Sequence, residues 1–275
     1  MDLTKLLSEE FGIKLEYSQN LINLLDEGCT VPFISRYRKE MHGTCDDQTI
    51  REFSDRLNYL RNLEKRKEEI IKLIDEQEKL TPELKEKILN GRTQTELEDI
   101  YRPFRPKRQT RATIAAAKGL TPLADIILKQ KETTGDVLDI AKEYINPEKG
   151  VNTSEEALAG ALDIIAEKIS DDAEIRKNLR EFLFKSSFIV TTLKPNEKVN
   201  TYLMYDNYKE QVCKMPSHRI LAINRGEKED CIKVDLEVNE EKSLEIIKSI
   251  FKIKESIYSE VLNNTVVDAF DRLIL

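Results

Sequence analysis

From Asp46 to Thr81 the chain has neither glycine nor proline, and apolar residues recur at helical spacing throughout. Ile50, Phe53, Leu57, Leu60, Leu63, Ile70 and Ile74 share one face over about eight turns at 3.6 residues per turn. Asp46 stands where an N-cap belongs. A helix of that length is either a strut or one arm of a helical hairpin. Its heptad regularity fails at Arg66-Lys67, which disfavours an extended coiled coil.

Helical patterns surround it. Leu3, Leu6, Leu7 and Phe11 form a stripe stopped by Gly12, and a second helix from about Glu16 to Glu27 stops at Gly28. A third starts near Val31-Pro32, contains Phe33, Ile34 and Tyr37, and ends at His42-Gly43. Thr81-Pro82 begins a short helix ending at Asn90-Gly91, and Thr93 with Glu96 reads as a capping box. Helix, glycine turn and capped helix is helix-turn-helix spacing. The second helix of that pair exposes Glu96, Glu98 and Asp99, which would repel phosphates, so packing geometry is favoured over DNA reading. Short helices follow at Leu123–Gln130 and Val137–Tyr144, a capping box at Thr153–Glu156 opens an apolar helix, and Asp171-Asp172 begins another.

The character changes near residue 187. Phe188 to Leu193 is a β-branched run of strand length, and Cys231 to Val238 alternates with Ile232, Val234, Leu236 and Val238 on one face. Between them Pro216 to Arg225 reads as a helix closed by Gly226, and a final helix runs from about Glu240 to Phe270 with a break at Asn263-Asn264. The expected fold is mainly α: a multi-helical scaffold with a helix-turn-helix-like pair and a small α+β portion near the C-terminal third. The expected division is 1–186 helical, then 187–275 as an α+β section with a C-terminal helix. The chain ends on Leu273-Ile274-Leu275, which fits a fragment cut ahead of further domains.

Composition narrows the class. Charged residues are 35% of the 275, with no tryptophan and a formal net charge of −7. No apolar run approaches the ~20 residues that span a bilayer, and the start, MDLTKLLSEEFG, lacks a signal peptide's basic and apolar segments. Cys29, Cys45, Cys213 and Cys231 form no CxxC pair and read as reduced thiols, so a cytoplasmic location is expected.

Against this acidic background lies a basic island. Tyr101 to Arg111 carries five positive charges, Arg102, Arg105, Lys107, Arg108 and Arg111, and no negative one, leaving −12 on the other 264 residues. Pro103 and Pro106 remove backbone donors and bias the residues before them, so an extended loop is expected, anchored by Tyr101 and Phe104. A helix follows to Gly119, and Thr121-Pro122 begins the next with Thr121 as cap. Two readings of the island stand together. Its arginines could contact phosphates, with Tyr101 or Phe104 stacking on bases, or tie the loop to the protein's own carboxylates such as Glu96, Glu98 and Asp99. Arg36, Arg38 and Lys39 beside Tyr37 form a second cluster with the same two readings.

The segments Val31-Pro32-Phe33-Ile34-Ser35-Arg36-Tyr37-Arg38-Lys39-Glu40, Leu97 to Phe104, Pro106-Lys107-Arg108 and Thr110 to Ala115 carry a resemblance. So do Lys118-Gly119-Leu120, Pro122-Leu123-Ala124, Pro216-Ser217-His218-Arg219 and Arg225-Gly226. Together they resemble the N-terminal region of the Tex family of bacterial transcription accessory proteins. The resemblance implies a helical N-terminal part followed by an RNase H-like domain, a helix-hairpin-helix pair and an OB-fold RNA-binding domain. Only the first part is matched here. It implies partners in nucleic acid, the transcription machinery and the downstream domains, with the strongest nucleic-acid contact on the OB-fold. For this stretch it implies weak, sequence-independent binding or docking on the transcription machinery.

Other chemistry has thin support. His42 and Cys45 are three apart, but two ligands do not make a zinc site. Ser217 and His218 are neighbours on a helix and do not face each other, so capping is favoured over catalysis. No GxxxxGK[ST], HExxH or GxSxG motif occurs. No catalytic residue, cofactor or metal is expected.

Overall fold

A computed structural model describes residues 2–43, 45–106, 109–195 and 199–275. Lys107 and Arg108 of the basic island lie outside the described residues. Contacts divide the chain into two compact units, Met1–Tyr101 and Arg102–Leu275.

The first unit is all helix: α1 Leu3–Phe11, α2 Leu15–Asp26, α3 Val31–Tyr37, α4 Lys39–His42, α5 Asp47–Asp75, α6 Pro82–Asn90 and α7 Gln94–Tyr101. Asp46 caps α5 as expected, accepting from the Thr49 N–H at 2.8 Å. All seven apolar residues of the α5 stripe are buried. Ile50 to Leu60 pack with Leu7, Leu21, Leu24 and Ile34 of the preceding helices. The lapse at Arg66-Lys67 has a physical reason. Lys67 is buried and donates to the Leu89 carbonyl at the end of α6, 2.9 Å away, and to Glu64 at 2.8 Å. The last carbonyls of a helix lack intrahelical donors, and α5 supplies one. Arg66 donates to Glu98 of α7 at 2.7 Å and lies over the Tyr101 ring. The helix-turn-helix-like pair, α6 and α7, therefore uses its acidic face to dock on α5. Gly91 permits the tight turn, since a Cβ there would stand 2.6 Å from Leu97 Cδ2. The expected capping box is shifted: the Thr93 hydroxyl accepts from Glu96 N–H, but the Glu96 carboxylate accepts from Arg92 N–H. The helix expected from Val31 to His42 breaks at Arg38 (φ −129°, ψ 34°). The buried His42 Nε2–H closes the break by donating to the Ile34 carbonyl at 3.1 Å.

The second unit opens on a 3-10 turn, Arg102–Phe104, followed by α8 Arg111–Ala117, α9 Thr121–Lys129, α10 Val137–Lys142, α11 Ser154–Asp171 and α12 Ala173–Ser186. Then come β1 Phe188–Leu193, β2 Tyr208–Gln211, α13 Ser217–Lys228, β3 Ile232–Glu237, α14 Glu240–Phe251 and α15 Ser259–Ala269. The sheet is antiparallel with order β2-β1-β3. It shares a small core with α13, built from Tyr202, Tyr205, Ile223, Cys231 and Ile232. Residues from α8 to α12 form a larger core with Ile247, Tyr258, Leu262 and Phe270. A subdivision at residue 187 remains our proposal; α14 and α15 bury their apolar residues in the larger core.

Several expectations are corrected. Arg102 to Phe104 is a 3-10 turn, not extended backbone, because the donor closing it is Arg105 N–H to Arg102 O, which neither proline must supply. Thr121 is the first residue of α9, with Leu120 at the cap position. The final helix breaks at Lys252, not at Asn263-Asn264. There Gln130 accepts from Lys254 N–H at 2.7 Å, and the Glu132 carbonyl accepts from Ile257 N–H. Ser217 makes no capping hydrogen bond, and Pro216 occupies the cap position. Gly226 does not end α13. It is buried inside the helix, where a Cβ would meet Ile232 Cδ1 at 2.4 Å and Tyr202 Cδ1 at 3.1 Å. Gly226→Val should therefore overpack this core and cost about 1–3 kcal/mol, read as a lower urea midpoint. An unchanged midpoint would contradict this close packing.

Candidate nucleic-acid interface

The α8 helix begins with a full capping box. The Thr110 hydroxyl accepts from Thr113 N–H at 3.1 Å, and the Thr113 hydroxyl accepts from Thr110 N–H at 2.8 Å. Its Ala112 and Ala115 are buried against α11, where Gly160 lets the helices approach: a Cβ there would stand 2.4 Å from Leu120 Cδ1. Burying that small-residue face turns Arg111, Thr113 and Ile114 outward.

The described island arginines differ in their surroundings. Arg102 Nε donates to Asp171 Oδ1 at 2.9 Å, and Asp171 is buried. This arginine ties the 3-10 turn to the end of α11. Arg105 and Arg111 are exposed and make no ion pair among the described residues. The neighbouring carboxylates hold other partners. Asp172 accepts from Glu174 and Ile175 N–H groups as the cap of α12. Asp163 and Asp268 hold Arg272. The Asp268 carboxyl is held below the usual carboxylate range chiefly by Arg272's hydrogen bond, with Arg111's charge acting in the same direction. Arg105 borders an open groove of about 570 Å³ whose other charged lining residues are Glu167, Lys168, Asp171 and Asp172.

Two further cations join this surface that the spacing alone did not single out. Lys118 Nζ donates to the Gly150 carbonyl at 2.9 Å. Lys149 lies over Gly119, and both lysines line a groove of about 430 Å³ with Gln109, Thr113 and Ile114. The turn closed by the Asn146–Val151 bridge brings Lys149 there, a long-range contact that local patterning does not carry. From Arg111 to Lys118 the backbone advances about 10 Å at 1.5 Å per residue.

The aromatic expectation is also corrected. Tyr101 is buried beneath Arg66, and Phe104 is half-buried, so neither ring is offered as a free face. Phe184 of α12 is exposed, and two further exposed rings lie with the second cluster, in the first unit. Phe33 and Tyr37, one helical turn apart on α3, are 38% and 65% exposed, with centroids 5.4 Å apart. Arg38 sits 5.5 Å from the Phe33 centroid, and Arg36 and Lys39 are exposed beside them. Among the described residues no group of three or more His, Cys, Asp or Glu side chains is arranged to hold a metal. No described helix is long and apolar enough to cross a membrane.

Residues 1–75 match the family described as Tex-like protein N-terminal domain, and residues 132–269 match Tex central region-like. The protein YdcI of Bacillus subtilis is 43% identical over 276 residues, covering 99% of this chain and 38% of that protein. Transcriptional accessory protein Tex of Neisseria gonorrhoeae is 40% identical over 238 residues, covering 86% and 31%. S1 RNA-binding domain-containing protein 1 of Homo sapiens is 30% identical over 290 residues, covering 99% and 29%. The chain thus spans between 29% and 38% of the length of these three relatives.

The split between tied and unpaired arginines has a measurable consequence. Arg102→Ala deprives a buried carboxylate of a partner and should cost about 1–3 kcal/mol. Arg105→Ala should stay within about 0.5 kcal/mol of the parent. Equal losses in chemical denaturation would contradict this assignment.

Proposed function

Because the chain belongs to the Tex-like protein family, we propose that it is a non-enzymatic helical scaffold that contacts nucleic acid weakly and without regard to sequence. The contact surface is α8 with the turn before it: Arg105 and Arg111, joined by Lys118 and Lys149; Lys107 and Arg108 of the same basic island lie outside the described residues. One observation carries the reading: Arg105 and Arg111 are exposed and make no close ion pair among the described residues, Arg111 acting on Asp268 only through its charge, while Arg102 is tied to Asp171. Unpaired arginine forks are suited to phosphate oxygens. The names of two relatives point the same way, one to transcription and the other to RNA binding through an S1 domain. Among the described residues nothing on this surface is arranged to read base edges in a groove, so contacts to phosphate position the chain without specifying sequence. The net charge of −7 opposes binding, and a dissociation constant of about 10⁻⁴ to 10⁻⁶ M near physiological salt is expected. The cytoplasm is the proposed site of action, alongside whatever the remaining length of such proteins supplies.

The test is a salt series. Each phosphate contact releases condensed counterions, so replacing Arg105 and Arg111 together by Ala should reduce the log–log salt slope by about 1.4 to 1.8 units. The melting temperature should not change. If the slope is unchanged, the surface is not a phosphate contact, and docking of the same family scaffold on a protein of the transcription machinery becomes the better reading.

A further inference from the structure

Two large aromatic rings stand on the outer face of α3 while its Ile34 is fully buried. Helical geometry explains how: residues four apart share a face, and Ile34, about 100° round the helix from Phe33, turns to the core. Folding does not require rings at both outward positions. The charge along this segment is positive, with Glu40 after it and Asp47 engaged by the Ser35 hydroxyl at 3.1 Å. From Val31 to Lys39 there are three positive charges, Arg36, Arg38 and Lys39, and no carboxylate. None of the three makes an ion pair among the described residues. Arg38 is held near the Phe33 ring, 5.5 Å from its centroid, and the two rings are tilted by 41°. The platform is fixed from beneath, since His42 and Arg38 N–H both hold the Ile34 carbonyl, at 3.1 and 3.0 Å.

We propose that Phe33 and Tyr37 stack on unpaired bases while Arg36, Arg38 and Lys39 take the adjoining phosphates, so that α3 selects single-stranded nucleic acid over duplex. Every base has a π-face, so stacking tolerates any sequence, and cations along the backbone complete such a site. In a duplex the base faces are already stacked, and only the phosphates remain for the cations. The proposal rests on the nucleic-acid reading of this family member. It uses residues of the other compact unit, so the two can fail separately.

The experiment uses the full chain and three labelled probes: a 12-nucleotide oligo(U), a 12-nucleotide oligo(dT) and a 12-base-pair duplex, followed by fluorescence anisotropy. Tyr37→Ala removes one exposed ring and should leave the melting temperature unchanged. It should weaken both single strands at least about five-fold, the lower end of what a lost base stack costs. The salt slope and duplex binding should not move. The chain has no tryptophan, so Tyr37→Trp introduces the sole indole emission. That variant should keep single-strand affinity, and its emission should be quenched by oligo(U). The proposal is overturned if Tyr37→Ala binds single strands like the parent, or if single strands and duplex weaken equally. Unquenched emission at saturating oligo(U) overturns it as well. If Tyr37→Ala is silent while the Arg105 and Arg111 variant loses salt slope, only the stacking platform fails. If the parent chain binds no probe at low salt, both readings fail.

Discussion

Around α8 the carboxylates are committed. Asp171 holds Arg102, Asp172 holds the first N–H groups of α12, and Asp163 with Asp268 holds Arg272. A protein with this many acids could have neutralised the whole island internally, as one reading of its sequence anticipated. It ties the first arginine and leaves Arg105 and Arg111 without an ion pair among the described residues. The tie itself is useful. Asp171 sits at the end of α11, the helix against which α8 packs through Ala115 and Gly160. Fixing Arg102 there holds the start of the island beside the helix that carries its end.

In the first unit α5 has the corresponding place. Its apolar stripe buries α1 to α3 at one end, and its Lys67 and Arg66 satisfy a terminal carbonyl of α6 and a carboxylate of α7 at the other. Buried charge is tolerable there because each group finds partners. Glu98 of α7 thus serves the fold, docking the acidic pair α6 and α7 on α5 as packing geometry. The cations of α3 are not used in this way, and they stand beside exposed rings.

The parts of this architecture that were legible in the sequence are those set by local chemistry. The Asp46 cap, the α5 stripe, the breaks at Gly12 and Gly91, and strands β1 and β3 follow from spacing and turn residues. Strand β2 was missed because Tyr208-Lys209-Glu210-Gln211 is polar, which an edge strand tolerates. Gly226 reads as a helix stop, but its role is set by Ile232 and Tyr202, which no local pattern reveals. The break at Lys252 depends on Gln130 and Glu132, more than 100 residues away. For the candidate site, the sequence named the cations and left two readings of the aromatics open. Tyr101 and Phe104 read as anchors of the loop or as stacking rings, and tertiary packing covers Tyr101 and half-buries Phe104. Lys118 and Lys149 line one groove beside the turn closed by the Asn146–Val151 bridge, a tertiary arrangement that local patterning does not carry.

Amide hydrogen exchange of the full chain, with and without saturating oligo(U) at low salt, tests the account most directly. It predicts slower exchange in segments 31–38 and 102–117, and unchanged exchange in α13, which carries His218, Arg219 and Arg225 but has no part in either surface. Protection confined to α13 or to the acidic helices α6 and α7, with segments 31–38 and 102–117 unaffected at saturation, would contradict it.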